Sequence, residues 1–174
     1  MTDEVKKVID PSKMYNNIIA LLDKNGVEYK LFNHRAALTY EDLAAVQKET
    51  GFFGTEGKCM VLKADDHFFV YVTLQGNRVN FDAIKAKLNA KKVRLATTDE
   101  LEEYFGAEPG CAYPFGFNSL YNIYVDPKIY DQEWFLFSPV LPTKTVQVKG
   151  SDLRKVYSNL ENKIEEVSDF NQII

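Results

Sequence analysis

Residues 94–116 read RLATTDELEEYFGAEPGCAYPFG and join a sharply bounded helix to an irregular loop. Thr97, followed three residues later by Glu100, forms a capping box, because each side chain can bond the backbone N–H of the other residue. The helix that begins there should end at Gly106. Residues 108–118 contain two prolines and two glycines, which exclude regular structure. The stretch therefore predicts a capped helix followed by a rigid loop.

Outward from this stretch, apolar residues recur at either helical or strand spacing. Further helices are predicted from Pro11 to Gly26, from Thr39 to Gly51, over 81–89, and from a Ser151 cap through 153–167. Strands are predicted over 27–32, 59–63, 68–74, 93–96, 120–125, 134–137 and 145–149. Because hairpins and helices are mixed without regular βα alternation, the pattern favours an α+β fold, a mixed sheet with helices packed on it.

The 174 residues suit one domain, which we assign to residues 11–174 behind a polar lead over residues 1–10. A 13% aromatic content predicts a core rich in Phe and Tyr. The net charge of −4 argues against non-specific nucleic-acid binding, which rests on many Lys and Arg residues. It leaves open the recognition of a short single-stranded end by a local basic patch.

Cys59 and Cys111 belong to no CxxC or Cys/His cluster, so no metal or other cofactor is predicted and a reduced compartment is the simplest interpretation. The first ten residues carry no apolar signal core, and no run approaches the 18 apolar residues of a membrane span. The sequence therefore predicts a cytoplasmic protein.

The usual catalytic signatures are missing, and His34 and His67 are the only histidines. The loop from Gly110 to Gly116 is either a pocket wall with aimed backbone N–H groups or a long crossover that needs Gly and Pro to turn. Lys58, at the start of an apolar strand, either points toward a cleft or is a solvated strand end. Taken separately, each feature is better explained as structural.

Together, these segments resemble one family. Residues 57–63, GKCMVLK, are similar to the "(G/A)-K-x-L-V-L-K" strand of the YbaK/prolyl-tRNA-synthetase-associated domain. Residues 94–116 resemble its "R-L-A-x-x-E-E-L-x-x-x-T-G-x-E-P-G-x-x-x-P-F-G" segment, and His34 with Thr39-x-Glu41-Asp42 resembles its "H-x-x-x-x-T-x-E-E". The resemblance covers roughly residues 15–160. It implies a mostly antiparallel, barrel-like sheet surrounded by helices.

The resemblance also implies an activity. Members hydrolyse the ester of mischarged aminoacyl-tRNA, in trans or within prolyl-tRNA synthetase, so the implied partners are the tRNA acceptor end and an aminoacyl-tRNA synthetase. Lys58 would hold a terminal phosphate or sugar, and the backbone at Gly110 and Gly116 would anchor the acyl group and polarise its carbonyl. Water or a ribose hydroxyl would be activated by substrate groups. Substrate-binding positions are assigned to Thr39, Tyr113, Pro114, Phe115 and Ser138.

Two positions depart from the family pattern. Phe105-Gly106 stands where relatives carry "T-G", and Ser138-Pro139 stands where they carry "H-P", "N-P" or "N-A-G". Ser138 therefore bears on which amino acid is accepted. Cys111, without a neighbouring His in sequence, is interpreted as a small pocket-side residue.

Other interpretations remain open. The basic run of Lys85, Lys87, Lys91, Lys92 and Arg94 either contacts the acceptor stem or forms a solvated helix face and turn. The whole chain is alternatively a non-catalytic module that binds aminoacyl-tRNA or a synthetase through the same pocket. A small-molecule esterase is a third possibility, but no activated Ser or Cys supports it.

Overall fold

Five α-helices and eight strands alternate irregularly in the computed structural model, which describes residues 9–173. The helices are α1 (Pro11–Lys24), α2 (Tyr40–Thr50), α3 (Phe81–Leu88), α4 (Thr98–Phe105) and α5 (Leu153–Ser158). The strands are β1 (Tyr29–Asn33), β2 (Thr55–Ala64), β3 (His67–Leu74), β4 (Val93–Leu95), β5 (Asn122–Val125), β6 (Phe135–Phe137), β7 (Lys144–Val148) and β8 (Ile164–Glu166). Short 3₁₀ helices lie at Pro127–Asp131 and Gly150–Asp152. The predicted polar lead falls outside the described residues for positions 1–8.

The strands form one open mixed sheet in the order β1-β7-β6-β2-β3-β5-β8, with β4 paired to β2. The β1–β7, β6–β7, β2–β3 and β2–β4 pairs are antiparallel, whereas β2–β6, β3–β5 and β5–β8 are parallel. The predicted α+β fold with a mixed sheet and surrounding helices is confirmed. The long strand β2 is central, because it pairs with β6 at its start and with β3 and β4 beyond.

Local capping explains where the helices begin. The Thr39 hydroxyl accepts a hydrogen bond from the N–H of Asp42 (3.1 Å) at the start of α2. Both bonds of the predicted capping box are present at α4, from Glu100 N–H to Thr97 (3.2 Å) and from Thr97 N–H to Glu100 (2.9 Å). Both helices then end at a glycine in the left-handed conformation, Gly51 and Gly106. The two helices that flank the candidate site are thus fixed by neighbouring residues.

The core divides between the two faces of the sheet. Alternation along β2 sends Val61 into the larger cluster, which includes the loop after α4, and sends Leu62 into a second cluster beneath α3. A third, smaller cluster packs α2 against Leu136 of β6. The aromatic core predicted from composition is confirmed by fully buried Phe and Tyr side chains such as Tyr71 and Phe115.

The predicted last helix is wrong beyond Ser158. The apolar residues at 153–167 do recur at helical spacing, but α5 ends after six residues and Ile164–Glu166 pairs with β5 as a parallel strand. Asn162 lies in the turn between α5 and β8. Its side-chain amide donates to the carbonyl groups of Asn118 (3.0 Å) and Tyr121 (2.8 Å), and these bonds anchor the turn. The Ser151 cap is also wrong, because residues 150–152 form a 3₁₀ turn and α5 has no side-chain cap.

None of the helices in residues 9–173 is both long enough and apolar enough to cross a membrane.

Candidate active site

A cleft of about 140 Å³ opens where the N-terminal end of α2, strand β2, the loop after α4 and the end of β6 meet. Its lining residues come from all four segments: Leu38, Thr39, Tyr40, Leu43, Glu56, Gly57, Cys59, Gly110, Ala112, Phe137 and Ser138. Three of the predicted site residues, Thr39, Gly110 and Ser138, are therefore brought together.

Gly110 brings the loop close to the start of α2. Its φ is +88°, a region that side-chain-bearing residues rarely adopt, and a Cβ there would overlap the carbonyl oxygen of Leu38. Glycine is therefore needed for both reasons. The loop backbone can form one wall of the cleft only because this position has no side chain.

Backbone N–H groups of this wall are unpaired. Within residues 9–173, the N–H groups of Gly110 and Ala112 have no hydrogen-bond acceptor in the protein, although both residues line the cleft. The intervening N–H, that of Cys111, bonds to the carbonyl of Glu108 (2.9 Å) and holds the turn. Unpaired N–H groups beside a cleft are the kind of donor that stabilises a developing oxyanion.

Glu56 is the unexpected member of the lining. It is 8% exposed, and its Oε1 accepts a hydrogen bond from the Gln47 side-chain amide (3.2 Å). No other donor to this carboxylate, and no cation paired with it, is found in residues 9–173. Burial raises the pKa of Glu56 to about 7. A carboxyl group that titrates near neutral pH is suited to proton transfer.

The two thiols near the cleft are poor nucleophiles. Burial raises the pKa of the Cys59 thiol well above its ordinary value and that of Cys111 to about 11. Because the thiolate is the reactive form, neither group is activated. Cys111 is completely buried in the larger core cluster and does not line the cleft, in contrast to the pocket-side position expected for it.

Lys58 does not line the cleft, so the structure does not bring it together with Gly110 there, although its neighbours Gly57 and Cys59 are lining residues. Strand alternation puts Lys58 and Glu56 on one face of β2 and Gly57 on the other. The Lys58 ammonium donates to the carbonyl oxygen of Asn77 (2.7 Å), and desolvation, together with the nearby Arg78 charge, lowers its pKa. Lys58 has no carboxylate partner within residues 9–173.

The rest of the predicted loop residues lie in the core behind the cleft. Tyr113 is buried and donates to the carbonyl of Phe105 (2.7 Å), and the Pro114 carbonyl accepts from the Tyr157 hydroxyl (3.0 Å). Phe115 is fully buried. None of these residues lines the cleft, and neither does Gly116, which packs against Ile18 of α1.

The segment after β6 is strained next to the cleft. Val140 has a φ of +72°, which is costly for a β-branched residue. The Ser138 hydroxyl donates to the carbonyl of Leu141 (3.1 Å) and closes this turn. Strain of this kind persists only where the surrounding structure enforces it, and the turn that contains Val140 begins at Ser138 of the cleft lining.

Glu56 was missed by sequence reasoning because FFGTEGK, residues 52–58, reads as a loop. Its hydrogen-bond partner Gln47 is nine residues away on α2, and its strand partner Leu136 is 80 residues away.

The basic run from Lys85 to Arg94 forms ion pairs within the protein. Lys87 pairs with Glu165 (2.9 Å) and Arg94 pairs with Glu100 (2.6 Å).

Among the described residues, the site is thus a cleft of about 140 Å³ with a buried carboxyl group and unpaired backbone donors, set in a domain of the mixed α+β class. The family model of the aminoacyl-tRNA editing domain matches residues 34–156, a range that includes every lining residue. The chain therefore belongs to the aminoacyl-tRNA editing domain family. The resemblance seen in residues 94–116 is confirmed.

Curated relatives are proline–tRNA ligases. The chain is 39% identical over 72 residues to the enzyme of Bacillus velezensis, a match that covers 41% of this chain and 13% of the ligase. The enzyme of Caldicellulosiruptor bescii is 31% identical over 93 residues, covering 51% of this chain and 16% of the ligase. The chain thus spans well under a fifth of the length of these relatives.

Solved structures share the fold. The hypothetical protein APE2540 superposes with a TM-score of 0.70 at 15% identity, covering 87% of this chain and 98% of that one. A candidate trans-editing enzyme for prolyl-tRNA synthetase superposes with a TM-score of 0.68 at 16% identity, covering 88% of this chain and 95% of that one. At such identities the likeness concerns the fold alone.

Proposed function

We propose that this protein is an aminoacyl-tRNA deacylase that hydrolyses the ester of mischarged tRNA in trans, in the cytoplasm, as one editing domain over residues 11–174. The observation that supports this most is the cleft itself, in which unpaired backbone N–H groups of Gly110 and Ala112 lie beside the buried carboxyl group of Glu56. Family membership supplies the substrate class.

The need for such an activity is physical. A synthetase pocket discriminates against an amino acid that differs by one methylene by only about 1–3 kcal/mol, so a second site must remove the errors. The cleft, at about 140 Å³, lies below the roughly 300–1,000 Å³ of drug-sized ligand sites. Its size favours a small acyl group. Thr39, Cys59 and Ser138 are small polar side chains of the lining that could select among small amino acids.

Lys58 and Arg78 are proposed to hold the acceptor end. The two cations are close enough for Arg78 to lower the pKa of Lys58. Because an anion between like charges relieves their repulsion, a terminal phosphate of tRNA would bind well between them, and the adjoining ribose could accept a hydrogen bond from either cation. The Lys58 ammonium donates to the carbonyl oxygen of Asn77, which restricts it before tRNA arrives.

The test is a panel of mischarged tRNAs incubated with wild type, Lys58→Ala and Lys30→Ala. Lys30 is exposed on β1 and serves as a control for the same loss of charge. Wild type and Lys30→Ala should release amino acid from at least one tRNA, and Lys58→Ala should be much slower. Equal release by all three proteins would show that Lys58 has no role.

The second candidate, a non-catalytic module that binds aminoacyl-tRNA or a synthetase, is favoured by the relatives, in which the matching region is a small part of a ligase. Tight binding of mischarged tRNA by wild type without any release of amino acid, alone or with prolyl-tRNA synthetase added, would support this alternative and contradict hydrolysis.

A further inference from the structure

Glu56 raises a chemical question that the family resemblance does not answer. The resemblance implies that substrate groups activate the attacking water or hydroxyl. The structure nevertheless places a carboxylate in the cleft, with one hydrogen-bond donor and no cation within residues 9–173. A buried carboxylate with so little compensation is costly, so the position calls for a physical reason.

We propose, building on the proposed function, that Glu56 is the general base of the hydrolysis and later returns the proton to the leaving ribose oxygen. Three observations on geometry carry this. Glu56 lines the cleft, Gln47 occupies only its Oε1, and the unpaired N–H groups of Gly110 and Ala112 belong to the same lining. Glu56 and the two residues that carry these N–H groups thus line one small cleft.

In the proposed hydrolysis, water attacks the ester and Glu56 first accepts and then returns one proton. The Glu56 carboxylate accepts a proton from water while the water oxygen bonds to the ester carbonyl carbon. The carbonyl electron pair moves to oxygen, where the N–H groups of Gly110 and Ala112 hold the negative charge. The bond from carbon to the ribose oxygen then breaks, that oxygen takes the electron pair, and the Glu56 carboxylic acid protonates it. The products are the free amino acid and tRNA with its terminal hydroxyl, and Glu56 is again a carboxylate.

The electrostatic surroundings suit this role. The titratable groups that share the cleft are Tyr40 from α2 and Cys59 from β2, and the loop after α4 and the end of β6 contribute none. Burial raises the pKa of Tyr40 to about 12 and that of Cys59 well above its ordinary value, so both are neutral at pH 7. Lys58 is the charged group next along this face of β2 and bonds to Asn77. With its pKa near 7, Glu56 is a stronger base than an ordinary carboxylate and is about half ionised at neutral pH.

The experiment is single-turnover deacylation of a tRNA that wild type hydrolyses, from pH 5.5 to 8.5, with the rate in buffer subtracted. Glu56→Gln keeps the size of the side chain and removes the base, and Glu133→Gln is the control at an exposed glutamate. Glu56→Gln should slow the reaction by about 10²–10⁴-fold and abolish the limb of the pH profile near pH 7. The rate of Glu56→Asp should lie between those of wild type and Glu56→Gln, because the aspartate side chain is one methylene shorter.

Two results would overturn the base while leaving the proposed function intact. One is a Glu56→Gln rate within threefold of wild type with the pH limb unchanged. The other is a loss seen with the aminoacyl ester but absent with the matching α-hydroxyacyl ester, which would mean that Glu56 binds the substrate ammonium group. A wild-type protein inactive on every mischarged tRNA would overturn the proposed function as well.

Discussion

Among the described residues, Asp126 and Glu56 are the two buried carboxylates, and they are held very differently. Asp126 follows β5, and both of its oxygens are bonded. Its Oδ1 accepts from the Lys128 N–H (3.0 Å), and its Oδ2 accepts from the Thr73 hydroxyl (2.7 Å) and from the Asn171 amide (3.0 Å). This network ties β3, β5 and the C-terminal segment together, as a structural carboxylate does.

Within the described part of the chain, Glu56 in contrast accepts one side-chain hydrogen bond, from Gln47. Burial raises the pKa of Glu56, whereas Asp126 accepts three hydrogen bonds from neighbouring segments. Burial alone therefore does not distinguish a structural carboxylate from a functional one. The number of hydrogen-bond donors does: a buried carboxylate that lacks them in a cleft is positioned for a substrate.

The largest expected effect is at Asp126. Asp126→Ala leaves the Lys128 N–H, the Thr73 hydroxyl and the Asn171 amide without their acceptor. We expect a loss of about 3–4 kcal/mol in the free energy of unfolding, measured with urea. Asp126→Asn, which keeps one acceptor oxygen, should cost less. A loss below about 1 kcal/mol for the alanine variant would show that Asp126 is not the structural member of the pair.

Glu56→Gln should change stability in the opposite direction. The folded-state pKa of about 7 lies above the ordinary value of 4.5, so the folded protein binds more protons between these limits and wild type loses stability as pH rises through them. Removing the charge should therefore stabilise the fold by up to about 3 kcal/mol above pH 7 and by almost nothing at pH 4. Urea unfolding at both pH values is the measurement, and destabilisation at pH 8 would contradict it.

Tyr71→Phe tests the periphery of the Asp126 network. The Tyr71 hydroxyl donates to Asn171 Oδ1 (2.9 Å), and its removal leaves a buried acceptor with one bond fewer. We expect a loss of about 1 kcal/mol, independent of pH between 5 and 8. A pH-dependent loss would mean that the network titrates, and the contrast with Glu56 would weaken.

Gln47→Met should have the smallest effect. It removes the one hydrogen-bond donor to Glu56 seen within residues 9–173 and should raise the pKa of that carboxyl group further, because the charged form loses its hydrogen bond. The free energy of unfolding is measured against pH for Gln47→Met and for the double variant Gln47→Met/Glu56→Gln. The pH at which the difference between the two curves is half complete reports the change in the pKa of Glu56. The same midpoint for wild type compared with Glu56→Gln would show that Gln47 does not change the pKa of Glu56.

Local signals made much of the fold predictable. The caps at Thr39 and Thr97 depend on residues three positions away, and the hairpin between β2 and β3 turns within Ala64–His67, so each could be identified from a short window. Gly110 was predictable for the same reason, because a glycine between proline and a small buried residue marks a turn. The family resemblance then related these local elements to one site.

Long-range pairing was not predictable. The start of β2 reads as a loop because Gly54 and Gly57 flank Glu56, yet Thr55 and Glu56 pair in parallel with β6. Residues 164–166 fit a helical stripe as well as a strand, and only pairing with β5 decides between them. Glu56 became a site residue through this same long-range pairing, which explains why motif spacing did not reveal it.

The most direct test of the central claim is the single-turnover deacylation rate of Glu56→Gln at pH 7.5, in a preparation whose unfolding has been measured under the same conditions. We expect the variant to unfold at higher denaturant concentration than wild type and nevertheless to hydrolyse mischarged tRNA at least about 100-fold more slowly. A variant that is as active as wild type, whatever its stability, would contradict the assignment of this cleft and its carboxylate to catalysis.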